Sequence, residues 1–153
     1  MSDSSGSVDS TSYENVYRAA NVSFGTPRYV VECLQSVLGT APGYNGAFTA
    51  FVVSLLVSDG VLGMRAISRA LVEWVNRVDW KTVLTDKKPA GMSVTSAEVV
   101  CLPGAHGGFS IEATAPVKRI NDDWFEMRIF NLRVIEKLFR RSLNDVEPKR
   151  DGR

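Results

Sequence analysis

The sequence predicts an α+β domain, with N-terminal helices packed on a C-terminal antiparallel sheet and a helix at the C-terminal end. Three observations predict it. Apolar residues recur at helical spacing through the first half, and one stretch, Ala47 to Val57, is apolar on every side. After Gly91 the period of the pattern drops to two, as in half-buried strands. From Arg133 it returns to helical spacing. Separation of helices from strands along the chain is the α+β pattern.

Residues 1–12 are Ser, Asp, Gly and Thr with almost nothing to bury, and read as a disordered acidic arm. Tyr13 to Phe24 reads as an extended lead-in on Tyr17, Val22 and Phe24, although Arg18-Ala19-Ala20 would suit a helix. Thr26-Pro27 is a helix start, with Thr26 as cap and Pro27 in the first turn, where its missing N–H costs nothing. Val30, Val31, Leu34, Val37 and Leu38 follow at helical spacing, and Gly39 stops them. Thr40 to Gly46 is a loop by its Pro42, Gly43, Asn45 and Gly46.

The apolar stretch comes next, interrupted only by Thr49 and Ser54. A helix apolar all round must be covered all round, so its neighbours are expected to be its covering. It falls short of the ~18 to 20 residues a bilayer crossing needs, and Asp59 closes it. Val61 to Val78 forms an amphipathic helix with Met64, Ile67, Leu71, Trp74, Val75 and Val78 on one face. Asp79 to Gly91 is a polar connection. Met92 to Cys101, Phe109 to Val117 and Trp124 to Leu132 are three strands. They are joined by the Gly-rich loop Leu102 to Gly108 and the turn Asn121-Asp122-Asp123. Arg133 to Leu143 is a helix with Val134, Ile135, Leu138 and Phe139 inward, and residues 144–153 are a flexible polar tail. Residues 13–143 thus form a single domain.

The composition narrows the chemistry. Two cysteines, Cys33 and Cys101, and one histidine cannot furnish a zinc site, so no metal or other cofactor is expected. Both thiols sit among apolar residues, which fits a reducing compartment. No basic start with an apolar run marks a signal peptide. The motifs of serine hydrolases, P-loop nucleotide binders and zinc proteases are absent, so no catalytic residue is assigned. His106 in its glycine loop lacks a nucleophile or acid at a fixed offset, and Asp122-Asp123 lacks a third ligand near in sequence.

Charge is uneven although the net is only +1. The arm is acidic, through Asp3 and Asp9. The C-terminal end is basic, with Arg133, Lys137, Arg140 and Arg141 at spacings that gather them on one helical face. Lys118 and Arg119 precede them and can join the patch, and Arg65 and Arg69 form a second one. Such a surface suits RNA phosphates or acidic lipid headgroups.

The arm, the extended segment, the helix from Arg28-Tyr29-Val30 through Leu38, and Tyr44-Asn45-Gly46 through Leu56 are followed by a strand-rich half. In this order of elements, over Tyr13 to Leu132, the chain resembles the matrix proteins of rhabdoviruses and other non-segmented negative-strand RNA viruses. The arm lacks the proline-tyrosine motif of many of them and is acidic where others are lysine-rich. The resemblance implies a non-enzymatic structural protein of virion and host cytoplasm or nucleus. Its partners would be itself, as a homo-oligomer, the anionic inner leaflet, and viral nucleocapsid or RNA. Two other readings stand beside it. One is a small ligand-binding or enzymatic domain with a pocket lined by Phe109, Ile111, Trp124 and Met127. The other is a viral coat protein or RNA-silencing suppressor acting through the same basic helix.

Overall fold

The computed structural model describes residues 13–60, 62, 67–86, 91–96, 109–112 and 126–146. The arm at 1–12, Arg65, Cys101, the His106 loop, Lys118, Arg119, Asp122-Asp123, Trp124 and residues 147–153 lie outside them. Among the described residues there are six helices: α1 (Val16–Phe24), α2 (Arg28–Leu38), α3 (Tyr44–Ser58), α4 (Arg69–Asn76), α5 (Trp80–Asp86) and α6 (Leu132–Val146). Three short strands, β1 (Gly91–Ser96), β2 (Phe109–Glu112) and β3 (Glu126–Asn131), precede α6. The chain divides into two compact units, one of Met1–Asn76 with Lys137–Arg153, the other of Arg77–Glu136.

Among its described residues, the regular secondary structure of the first unit is all helical. Its centre is α3, in which every residue from Ala47 to Ser54 is buried, as is Leu56. Complete burial of Phe48 and Phe51 contributes roughly 1.5–3 kcal/mol each. α1, α2 and α4 pack on α3, and the C-terminal part of α6 brings the buried ring of Phe139 against Phe48 and Phe51. The covering of the apolar helix is therefore other helices. The expected α+β architecture, N-terminal helices packed on a C-terminal antiparallel sheet, is incorrect, and the described residues are mostly helical. The expectation went astray because an all-round apolar helix demands a cover without specifying its type.

α1 replaces the expected extended lead-in. Val16, Tyr17, Ala19 and Ala20 are buried on one side, a helical pattern, while Val22, which argued for a strand, is 67% exposed. Gly25 ends α1 in the left-handed conformation at φ 65°, where its N–H donates to the carbonyl of Asn21. The Ser23 and Ser142 hydroxyls, 2.8 Å apart, tie α1 to α6. At α2 the residue before the helix is Pro27, not Thr26. The Pro27 carbonyl accepts from the N–H groups of Val30 and Val31, and the Thr26 hydroxyl turns back to the Ala20 carbonyl. Tyr44-Asn45-Gly46, expected in a loop, is the first turn of α3.

Helix α4 is shorter than the Val61 to Val78 periodicity suggests. Ser68 sets its start: its hydroxyl accepts from the Leu71 N–H at 3.1 Å and its carbonyl from Val72. Its end is held from α3. The Asn45 side-chain amide donates to both the carbonyl and the Oδ1 of Asn76 at 3.0 Å, and the buried Thr49 hydroxyl donates to the same Oδ1 at 2.9 Å. The two polar residues of the apolar stretch thus have different fates. Thr49 is satisfied by Asn76, whereas the Ser54 hydroxyl is buried with no hydrogen-bond partner among the described residues.

In the second unit, Asp79 to Gly91 holds a helix where a polar connection was expected. Asp79 caps α5, accepting from the Thr82 N–H at 3.3 Å and the Thr82 hydroxyl at 2.8 Å, and Trp80 behind it is fully buried. The strands lie in the order β2-β1-β3, both pairs antiparallel. Asn131 ends β3 and caps α6, its Oδ1 accepting from the N–H groups of Arg133 at 3.0 Å and Val134 at 3.4 Å. α6 then runs three residues past Leu143, into the segment expected to be a flexible tail.

Candidate functional site

The described residue types that can recognise a ligand by charge gather best on α6. Successive helical residues turn by about 100°, which sets Lys137, Arg140 and Arg141 within one arc of roughly 100°. All three are exposed. Phe139 and Ser142, both buried, occupy the opposite side. Burial of one stripe against the helical core thus fixes the rotation of α6 and turns the basic residues outward. Arg133, one turn earlier on the same arc, is half-buried. Val134 does not face inward as its apolar character suggests. It is 58% exposed, at the margin of the basic arc, and the buried stripe runs through Leu132, Ile135, Phe139 and Ser142.

The position of Phe139 is set by aromatic packing. Its ring lies 5.2 Å from Phe48 and 5.3 Å from Phe51, both edge-on, with Tyr44 at 6.0 Å and Tyr13 at 6.1 Å. Tyr13 is further held by its N–H, which donates to the Pro42 carbonyl at 3.0 Å. Tyr13 therefore marks where the acidic arm leaves the helical unit, against α6 itself. Its closeness to Phe139 carries no signal in the sequence, the two being joined only through tertiary packing.

The second expected patch is not assembled from described residues. Arg69 sits at the start of α4, paired with Glu73 at 3.4 Å, and its Nη1 donates to the Ser36 carbonyl of α2 at 3.2 Å. Its charge also acts on Cys33. Burial pushes that thiol's pKa up, and the Arg69 guanidinium offsets part of the rise. Cys33 is a free cysteine held mostly in its neutral form, a poor nucleophile. Arg65, Lys118 and Arg119 lie outside the described residues.

The strand register bears on the pocket envisaged for a ligand-binding domain. Directly opposed residues of antiparallel strands share a face. Ile111 is opposite Val94 and Phe109 opposite Ser96, so both share the face of Met92 and Phe130. Met127 is opposite Thr95 and belongs to the other face, together with Ile129, which is 49% exposed. Among the described residues no group of three or more His, Cys, Asp or Glu could hold a metal ion.

Comparison with protein-family models, with curated proteins and with solved structures gives no match. The site has to be interpreted from its own chemistry.

Proposed function

We propose that this protein is a non-enzymatic structural protein of the viral matrix type. It self-associates and holds anionic membrane, and with it ribonucleoprotein, through the outer face of α6. The observation that carries this reading is the exposed Lys137, Arg140 and Arg141 opposite the buried Phe139 and Ser142. Exposed Val134 beside the basic arc favours a lipid surface, because a bilayer takes up both a cation and a neighbouring apolar group.

The attachment is peripheral in this reading. No described helix is long and apolar enough to cross a membrane. Even α3, with 15 residues, spans only about 22 Å against a hydrocarbon core of about 30 Å. Each basic residue near an anionic surface contributes about 1 kcal/mol, so three give a weak, reversible hold. Self-association multiplies such a hold by presenting several faces to one surface.

Flotation with liposomes tests this. The protein should float with vesicles containing phosphatidylserine and remain behind with neutral ones. The triple variant Lys137→Glu, Arg140→Glu, Arg141→Glu should lose binding while keeping its circular dichroism. Equal binding to both vesicle types, or binding to neither, refutes the proposal. Light scattering over a concentration series tests the second half: a strict monomer at high concentration is incompatible with a matrix role.

A further inference from the structure

We infer that α1 supplies a second part of the lipid-contact surface. Arg18 and Val22, on its outer flank, continue the basic face of α6 across the seam between the two helices, and the occupant is an anionic bilayer. The inference rests on the reading of the α6 face given above and adds residues from a distant part of the sequence to it. Helix α1 and the part of α6 from Lys137 onward belong to one compact unit.

The Ser23 and Ser142 hydroxyls, 2.8 Å apart, fix which flanks of the two helices meet. Each helix buries its inner side, α1 through Val16, Ala19 and Ala20 and α6 through Phe139. Successive residues turn by about 100°. Going round α6 past Ser142 and away from the inner side leads to Leu138, which is half-buried, and then to Arg141, which is exposed. Going round α1 past Ser23 and away from its inner side leads to Val22 and then to Arg18, both exposed. Arg18 and Val22 are four residues apart and share a face. The outer surface over the seam thus takes Arg18 and Val22 from one helix and Leu138 and Arg141 from the other, with Lys137 just beyond. Asp145, exposed on the same flank of α6, offsets only part of this positive charge.

The chemistry of the surface selects its occupant. Its excess of cations calls for an anionic partner. Val22, at 67%, is the most exposed of the large apolar side chains among the described residues. A valine between cations gains nothing from the phosphates of RNA. At an anionic bilayer the guanidinium groups stay at headgroup level, and the valine enters the acyl boundary just below.

The test uses the full chain and the single variants Arg18→Ala and Val22→Ser, whose side chains are exposed, with circular dichroism to confirm the fold. Arg77→Ala, which removes the same charge from an exposed position in the second unit, is the control. Binding to phosphatidylserine vesicles is measured by co-sedimentation over a range of salt. Arg18→Ala should bind about fivefold more weakly, the worth of one charge near an anionic surface, and the difference should close as salt rises. Val22→Ser should bind about threefold to tenfold more weakly at every salt concentration, because its contribution is apolar. Arg77→Ala should bind as the parent does. If the parent binds and both α1 variants match it, the role of α1 is overturned and the α6 reading stands. Equal losses for Arg18→Ala and Arg77→Ala overturn it too, since only net charge is then being read. A loss for Arg18→Ala with none for Val22→Ser overturns the bilayer as occupant in favour of a purely ionic partner. If the parent itself does not bind, the α6 reading fails and this inference falls with it.

Discussion

Replacing Phe139 by Ala tests the reasoning behind the helical unit most directly, because this one side chain fastens α6 to the buried helix. Phe139 has no exposure, and its ring meets Tyr13, Tyr44, Phe48 and Phe51 at centroid separations of 5.2 to 6.1 Å. Truncation of a buried phenylalanine costs about 3–5 kcal/mol through lost transfer energy and the cavity left behind. Edge-on aromatic pairs add about 0.5–1.5 kcal/mol each, without simple additivity, and two of the nearest contacts, to Phe48 and Phe51, are of that kind. The expected loss is therefore about 4 kcal/mol, a large part of the ~5–15 kcal/mol that stabilises a typical domain. Urea unfolding followed by far-ultraviolet circular dichroism should show a lower midpoint with an unchanged slope. Phe139→Leu, which keeps most of the volume, should lose well under half as much. A double-mutant cycle with Phe48→Leu should return a coupling of about 0.5–1.5 kcal/mol. A loss below about 1 kcal/mol for Phe139→Ala would refute the packing described here, since no buried ring can be removed so cheaply.

Ser54→Ala should stabilise the protein by about 1 kcal/mol, because it deletes a buried hydroxyl that has no partner among the described residues; thermal melting reads the sign directly. Asn76→Ala takes away the acceptor shared by Asn45 and Thr49 and should cost about 1–3 kcal/mol in the same assay. Asp79→Ala removes the α5 cap and should cost about 1 kcal/mol. Tyr17 supplies a pH signature. Burial pushes its phenol from 10.0 up to about 12, with its hydroxyl donating to the Gly39 carbonyl at 2.6 Å. The folded state holds this proton more tightly than the unfolded chain. The resulting stability is complete below pH 10.0 and is lost as pH rises through about 12. Tyrosinate absorbance should show a late-titrating component from Tyr17, and Tyr17→Phe should remove it and flatten the alkaline loss of stability.

Several of the local signals that decide the helices were present in the sequence but were outweighed by composition. Asp79 with Thr82 three residues on is a capping pattern, and it sits before a tryptophan that needs burial. The polar residues that follow make Asp79 to Gly91 read as a polar connection. Ser68 is likewise a cap, but the apolar periodicity runs unbroken across it, so the start of α4 was placed too early. In α1 the aromatic and β-branched residues Phe24 and Val22 suggested a strand. The alanine pair, which burial against α3 uses, carried less weight. Intrinsic preference is weak for short segments, and packing overrides it.

What the sequence determined by itself is what depends on spacing within one element. The apolar run had to become a fully covered helix. The basic residues of α6 had to share a face, because a helix places i, i+4 and i+7 side by side. Only the tertiary structure decided what covers the run and which way α6 is turned. Neither is encoded locally. The choice of helices over a sheet as cover, and the rotation that sends Phe139 inward and Val134 outward, come from aromatic contacts between residues more than ninety positions apart, such as Phe48 with Phe139. Contacts at that separation form only when the whole unit closes, and so no window of the sequence contains them.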